Sequence, residues 1–130
     1  MFMLDTNTLI YFFKGIGRVK EHLFSYSPKD IFIPSIVIYE LQVGIAKSNS
    51  PKKREKQLST ILKQINIIEF GEKEAKISAL IRADLERKGT PIGAMDILIA
   101  GCAKAHNLTL ITHNTKEFMR VEGLSLNDWF

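Results

Sequence analysis

The sequence predicts an α/β fold, a three-layer α/β/α arrangement around a mainly parallel central sheet of four to five strands. Three observations lead there. Short apolar runs bounded by turn formers recur at Phe2–Leu4, Ile31–Ile33, Ile67–Phe70 and Leu108–Ile111, with the length expected of buried strands. Stretches of helical periodicity separate them, and strands that alternate with helices pair in parallel. Polar side chains, Asp5 and Asn114 among them, follow the first and last of these runs, at the carboxyl edge where open α/β sheets bind ligands.

Phe2–Leu4 ends at Asp5-Thr6-Asn7, residues that favour turns and helix caps, so this strand feeds a helix reaching about Phe13. Beyond Gly15 and Gly17 a second helix runs to about Tyr26, and Pro28-Lys29-Asp30 breaks it before the second strand. Pro34-Ser35 opens a third helix with Ser35 as its N-cap. In that helix Ile36, Glu40 and Val43 fall at i, i+4 and i+7, which sets Glu40 on an apolar, core-facing stripe where a carboxylate needs a reason to be. Ser48-Asn49-Ser50-Pro51 makes a turn, a basic helix continues to about Ile65, and the strand Ile67–Phe70 follows.

Glu72–Lys88 is a long helix with Ile77, Leu80, Ile81 and Leu85 on one stripe, stopped by Gly89. Pro91-Ile92-Gly93 starts the next helix. From Ala94 to about His106 it carries small and apolar residues on nearly every side, as a buried helix does. Asp96 falls in its first turn, where the helix dipole favours an anion, and Asn107 caps its far end. After the last long strand come Thr112-His113-Asn114-Thr115, and the tail Glu122–Phe130 adds an edge strand before Trp129 docks.

At 130 residues the chain has the size of a single domain, taken here to span 1–130, and can bury a core without staples. Its composition, 45% hydrophobic and 25% charged, is that of a globular protein without repeats or low-complexity tracts. The single cysteine, Cys102, excludes an intrachain disulfide, and its neighbours Ile99, Ala100 and Ala103 mark a buried small residue rather than a nucleophile. Asp5 comes too early for a signal segment, and no stretch approaches the roughly 18 apolar residues of a membrane span. A soluble, cytoplasmic protein is expected. The net charge of +4 fits a polyanionic partner and predicts salt-sensitive association with nucleic acid, although many basic proteins bind none.

Asp5 after the first strand, Glu40 in an apolar stripe, Asp96 at the start of a buried helix, and Thr112, Asn114 and Glu117 after the last long strand converge on one edge of such a sheet. Carboxylates packed together raise one another's pKa unless a divalent cation neutralises them. Oxygen ligands of this kind suit Mg²⁺ or Mn²⁺. Such a cation acidifies bound water and stabilises charge on a phosphate, so phosphodiester hydrolysis is the matching chemistry, with Glu40 able to orient or deprotonate the water. Taken singly, Asp5 reads better as a helix cap and Asp96 as a complement to a dipole than as catalytic groups, while Glu40 is harder to explain by structure alone.

The strings Met3-Leu4-Asp5-Thr6-Asn7, the Ser35–Gly44 helix with Glu40, Pro91-Ile92-Gly93-Ala94-Met95-Asp96, and Leu110-Ile111-Thr112-His113-Asn114-Thr115-Lys116-Glu117-Phe118 together resemble the PIN-domain toxins called VapC. The likeness runs in order to the closing Gly123-Leu124 and Asp128-Trp129. It implies a PIN-like fold and a Mg²⁺- or Mn²⁺-dependent endoribonuclease whose acidic residues match Asp5, Glu40 and Asp96, with the metal on Asp5, Asp96 and Asn114. Many PIN proteins carry Asp where Thr112-His113-Asn114 stands, which makes Asn114 a weaker metal partner and leaves Glu117 to supply the missing charge. Thr6, Asn7 and Thr112 would line the site. The family further implies a homodimer with two active sites along one groove and a VapB-type antitoxin that occludes them. The branch with Pro91-Ile92-Gly93 is similar to toxins that cleave initiator tRNA in the anticodon stem-loop and so inhibit translation.

Other readings stay open. A catalytically inactive PIN fold serving as a binding module would have lost the acidic set, which this chain keeps. A nuclease acting on other RNA or on single-stranded DNA would use the same metal site, because recognition of the 2′-hydroxyl has no signature here. A haloacid-dehalogenase-like phosphohydrolase also begins with Asp after an apolar strand, but needs a second acid where Asn7 stands, and no Gly-rich phosphate loop supports a nucleotide site. Lys47, Lys52, Lys53, Arg54, Lys56 and Lys63 cluster around one turn and helix and suit sequence-independent contacts to a phosphate backbone, but read somewhat better as a solvated helix face away from the acidic edge, with Lys14, Arg82, Arg87 or Lys116 closer to it. Of Tyr11, Phe12 and Phe13, at least two belong to the core and one is in position to stack on a base. His22, His106 and His113 lack metal-ligand spacing and read as surface or capping residues.

Overall fold

The apolar runs become strands because each is buried on both faces. Met3 and Leu4 are consecutive, so they point to opposite sides of the sheet, and neither has any exposed surface. The computed structural model describes residues 1–130. Strands β1 (Phe2–Leu4), β2 (Ile31–Pro34), β3 (Asn66–Ile68), β4 (Thr109–Ile111) and β5 (Leu126–Asn127) form one sheet in the order β3-β2-β1-β4-β5, parallel throughout. Helices α1 (Thr6–Lys14), α2 (Val19–Phe24), α3 (Ser35–Ala46), α4 (Pro51–Leu62), α5 (Glu72–Arg87), α6 (Ala94–Ala105) and the short α7 (Thr115–Phe118) flank it. None is long and apolar enough to cross a membrane.

Central β1 pairs Phe2 with Ile31 of β2 on one side and Leu4 with Ile111 of β4 on the other. The chain builds outward from β1 through β2 to β3, then returns to lay β4 and β5 on the opposite side. Strand order therefore reverses between β1 and β4, and the carboxyl ends of these two strands open a crevice. Asp5 and Thr112 are the first residues beyond those ends.

Several details differ from the sequence expectation. Ser35 is the first helical residue of α3 rather than its cap; extended Pro34 holds the N-cap position and offers no side-chain acceptor. The inner stripe of α3 is Val37 and Leu41, whereas Val43 is 38% exposed and Glu40 lies half-buried at the stripe's edge. Strand β3 begins at Asn66, whose amide donates to the carbonyls of Lys29 and Ile31, and it ends at Ile68, leaving Glu69 and Phe70 outside. Helices α2 and α4 stop earlier than their composition indicates, at Phe24 and Leu62. The edge strand of the tail is only Leu126–Asn127, and Trp129 docks as expected, buried against Phe2, Tyr26 and His22.

The inner face of α5 also differs: it presents Glu74, Ser78, Ile81 and Leu85, while Leu80 is 61% exposed. Its partner sets this face. A Cβ built on Gly101 of α6 would lie 1.9 Å from Ser78 Oγ and 3.1 Å from Ser78 Cα, so the two backbones approach as only small residues allow. Gly101→Ala is expected to destabilise the fold by about 1–3 kcal/mol through overpacking, read as a lower thermal midpoint, and Ser78→Gly in the same chain should restore part of it. No drop in midpoint for the single variant would show that the helices separate without cost. Next to this contact Cys102 is fully buried, and burial pushes its thiol up to about 12.

Glu74 ties the far ends of these helices together. One oxygen accepts from the Gly71 N–H at 2.9 Å and the other meets His106 Nε2 at 2.6 Å. The Gly71 hydrogen bond first, then His106, hold the carboxyl below its ordinary value of 4.5. A depressed pKa means the folded state favours the ionised form, so this stabilisation is present above about pH 4.5 and is lost as pH falls through the folded value. Melting curves from pH 6 down to pH 3 should show a shallower acid-side loss in Glu74→Gln than in the wild type; identical slopes would remove Glu74 from the acid transition.

Candidate active site

The crevice between β1 and β4 is closed at its floor by hydrogen bonds that hold both strand ends. Asp5 is the N-cap of α1, its Oδ1 accepting from the Thr8 N–H at 2.9 Å. The Thr8 hydroxyl donates to the Ile111 carbonyl at 3.0 Å, and the Asp5 N–H reaches the same oxygen at 3.2 Å. Thr112 has no exposed surface; its hydroxyl accepts from the Asn114 N–H at 3.0 Å, leaving its own proton for the Asp5 carboxyl. Burial pushes the Asp5 pKa up, the Thr112 and Thr8 hydrogen bonds pull it back in part, and the charge of Glu40 raises it further.

Glu40 comes from α3 and is fixed by the Thr6 hydroxyl, which donates to its Oε1 at 2.5 Å across 34 positions of sequence. Asp96 is half-buried in the first turn of α6. Burial, then the hydrogen bond to Glu117 and the charges of Glu117, Asp5 and Glu40, raise its pKa to about 7. Glu117 moves the opposite way: the Asn114 amide donates to it at 2.8 Å, the Gly93 N–H at 3.1 Å, and Asp96 donates as well. Below about pH 7 the Asp96–Glu117 pair thus shares one proton, held on Asp96.

Asp5, Glu40, Asp96 and Glu117 therefore meet from four elements, and none of them forms an ion pair with a basic side chain. No three of them are gathered at coordinating distance of one point. Their donors are all oxygens, and a proton is what relieves the repulsion on Asp96. That chemistry matches a divalent cation of the Mg²⁺ or Mn²⁺ kind, which would take over the proton's role, with Asp5, Asp96 and Glu117 as the available holders and Glu40 beside them.

Of the residues singled out in the sequence, Asp5, Thr6, Glu40, Asp96, Thr112, Asn114 and Glu117 belong to this network; Asn7 is exposed in the first turn of α1 and makes no hydrogen bond to it. Two contributors were not anticipated. Thr8 stands three residues after Asp5, the spacing of an N-cap and its N3 partner, and was detectable on that ground. Gly93 contributes a backbone N–H, for which no residue type is a signal.

The histidines take structural roles, His113 with Asp128 at 2.9 Å, His106 with Glu74, and His22 stacked on Trp129. Tyr11 meets His113 and Phe130 edge-on, while Phe12 packs against Phe13 and Phe24. Arg82 and Arg87 are occupied by Glu86 and Asp84. The basic helix α4 is not wholly remote from the acids, contrary to expectation: Arg54 lines the same depression as Lys14 and Glu40, because α4 packs on α3.

The sequence pattern of the PIN domain matches residues 2–124. The tRNA(fMet)-specific endonuclease VapC of Salmonella typhimurium is 34% identical over 128 residues, covering 98% of this chain and 97% of that protein. Ribonuclease VapC2 of Rickettsia felis is 37% identical over 137 residues, covering 99% and 98%. Among solved structures, VapBC2 from Rickettsia felis bound to a DNA fragment from their promoter matches with a TM-score of 0.92 at 37% identity, over 99% of this chain and 98% of that chain. DNA-bound VapBC from Salmonella typhimurium matches with a TM-score of 0.93 at 34% identity, over 99% and 98%. With its switch-point acids and these full-length likenesses, the chain belongs to the PIN-domain family, in its VapC branch.

Proposed function

We propose that this VapC-family chain is a Mg²⁺- or Mn²⁺-dependent endoribonuclease, the toxin of a toxin–antitoxin pair, which cuts initiator tRNA in the anticodon stem-loop and thereby inhibits translation. One observation carries the chemistry: four carboxylates, none of them in an ion pair, face one crevice, and burial first, then the neighbouring acids, raises Asp96 to about 7. A bound Mg²⁺ or Mn²⁺ supplies positive charge opposite a phosphodiester and makes water more acidic. Asp5, Asp96 and Asn114 would hold it, with Glu117, which accepts from the Asn114 amide, supplying further negative charge beside them. Glu40, oriented by Thr6, takes the proton of the water that attacks phosphorus, and the bond from phosphorus to the leaving ribose oxygen breaks, that oxygen taking its proton from solvent. Thr112 and Thr8 keep Asp5 aimed into the crevice.

The substrate reading is supported by the name of the Salmonella typhimurium relative, a tRNA(fMet)-specific endonuclease. The partner reading, a VapB-type antitoxin, is supported by the VapBC complexes that share the fold. A homodimer presenting two sites along one groove completes the proposal.

The test incubates purified, antitoxin-free protein with total tRNA, mRNA and single-stranded DNA in Mg²⁺, Mn²⁺ or EDTA and maps new ends. A metal-dependent cut at one tRNA site is expected. Folded, metal-loaded protein that cuts no RNA would overturn the ribonuclease reading, and equal cutting of mRNA or DNA would overturn the tRNA assignment.

A further inference from the structure

On the Glu40 side of the crevice, α1, α3 and α4 enclose a depression of about 160 Å³ lined by Ile10, Phe13, Lys14, Glu40, Gly44 and Arg54 among others. Glu40 belongs to both the depression and the carboxylate cluster, so the two are continuous. Lys14, at the end of α1, and Arg54, on the first turns of α4, are its cations. Both are exposed and neither forms an ion pair or a side-chain hydrogen bond. Glu40, which lines the same depression, accepts from Thr6 through one oxygen, Glu55 accepts from Gln42 at 3.2 Å, and neither is ion-paired with these cations. On α5 and its C-cap, by contrast, Arg82, Arg87 and Lys88 are each bound to an acid. The surface at Gly44 is open as well, since a Cβ there would meet nothing within 4 Å.

Two unpaired cations on either side of an open depression that runs into a phosphodiester-cleaving site are suited to a phosphate on the same strand. We infer that Lys14 and Arg54 bind the RNA phosphate next to the one being cut, so that the depression is a backbone subsite that adds affinity for the strand beside Glu40. The inference rests on the ribonuclease reading above. Arg54 offers the forked donor set that matches two phosphate oxygens, and Lys14 a point charge. Such contacts position a strand without reading its bases.

Binding is measured in EDTA by fluorescence anisotropy of a labelled anticodon stem-loop, in full-length Asp96→Asn protein so that nothing is cut. Adding Lys14→Gln with Arg54→Gln is expected to weaken binding about tenfold or more and to flatten the slope of log affinity against log salt by about 0.7, the loss of one single-strand phosphate contact. Lys73→Gln with Lys76→Gln removes the same charge from α5, where neither lysine is paired, and should change affinity less than about threefold. In catalytically intact protein the loss at Lys14 and Arg54 should fall on KM rather than kcat, and Arg54→Lys should recover part of it. Equal weakening by the two double variants, or a loss confined to kcat, would overturn the subsite. Absence of RNA cleavage by the wild type would instead overturn the ribonuclease reading itself, so the two failures are distinguishable.

Discussion

Asp96→Asn will reduce RNA cleavage by about a thousandfold or more, at the upper end of what removal of one electrostatic group costs an enzyme, while the protein folds as before. Both halves follow from the surroundings of Asp96. Without a cation its carboxyl is raised to about 7 and donates to Glu117, so a neutral amide of the same shape satisfies the same neighbours. What the amide lacks is the charge needed to hold a divalent ion beside a phosphate. Asp5→Asn should behave alike, because asparagine caps a helix about as well as aspartate and keeps an acceptor for the Thr8 N–H. Asp5→Ala, in contrast, would also lose the cap, at about 1 kcal/mol. Cleavage assays paired with circular dichroism and thermal melts decide the matter. Either Asn variant retaining a tenth of wild-type activity would remove that residue from the mechanism.

Chelation should be as severe. Full removal of divalent ions with EDTA is expected to abolish cleavage, and Mg²⁺ or Mn²⁺ to restore it, because none of the four acids is neutralised by an ion pair with a basic side chain. The same ion should stabilise the fold, since anything that binds only the native state does so; at a hundred times its dissociation constant the gain is about 2.7 kcal/mol. Thermal midpoints in Mn²⁺ should therefore rise for the wild type and not for Asp96→Asn. Undiminished cleavage after complete chelation would end the metal mechanism, and an equal Mn²⁺ shift in both proteins would place the ion elsewhere.

Much of this site could be read from local pattern. Phe2–Leu4 and Leu108–Ile111 are apolar runs with polar residues just beyond them, and parallel strands put such residues on one edge, so the meeting of Asp5 with Thr112 was foreseeable before any packing was known. Asp96 in the first turn of a helix with almost no polar face was similarly exposed to view. The resemblance of these strings to the VapC toxins pointed to the same acids.

Local period has no means of choosing a face where apolar residues lie on several sides of a helix. In α3, Ile36, Val37, Ile38, Leu41 and Val43 allow more than one buried stripe, and contact with the sheet, α1 and α6 selects Val37 and Leu41, turning Glu40 to the edge where Thr6 reaches it. In α5 the approach of Ser78 to Gly101 turns Leu80 outward. The division of one proton between Asp96 and Glu117, and the arrival of Arg54 beside Glu40, depend on residues far apart in the chain. Element type and the positions of the acids follow from sequence because they depend on near neighbours; side-chain facing and charge state wait for the tertiary structure, because burial and Coulomb interactions are set by whatever the fold brings within a few ångströms.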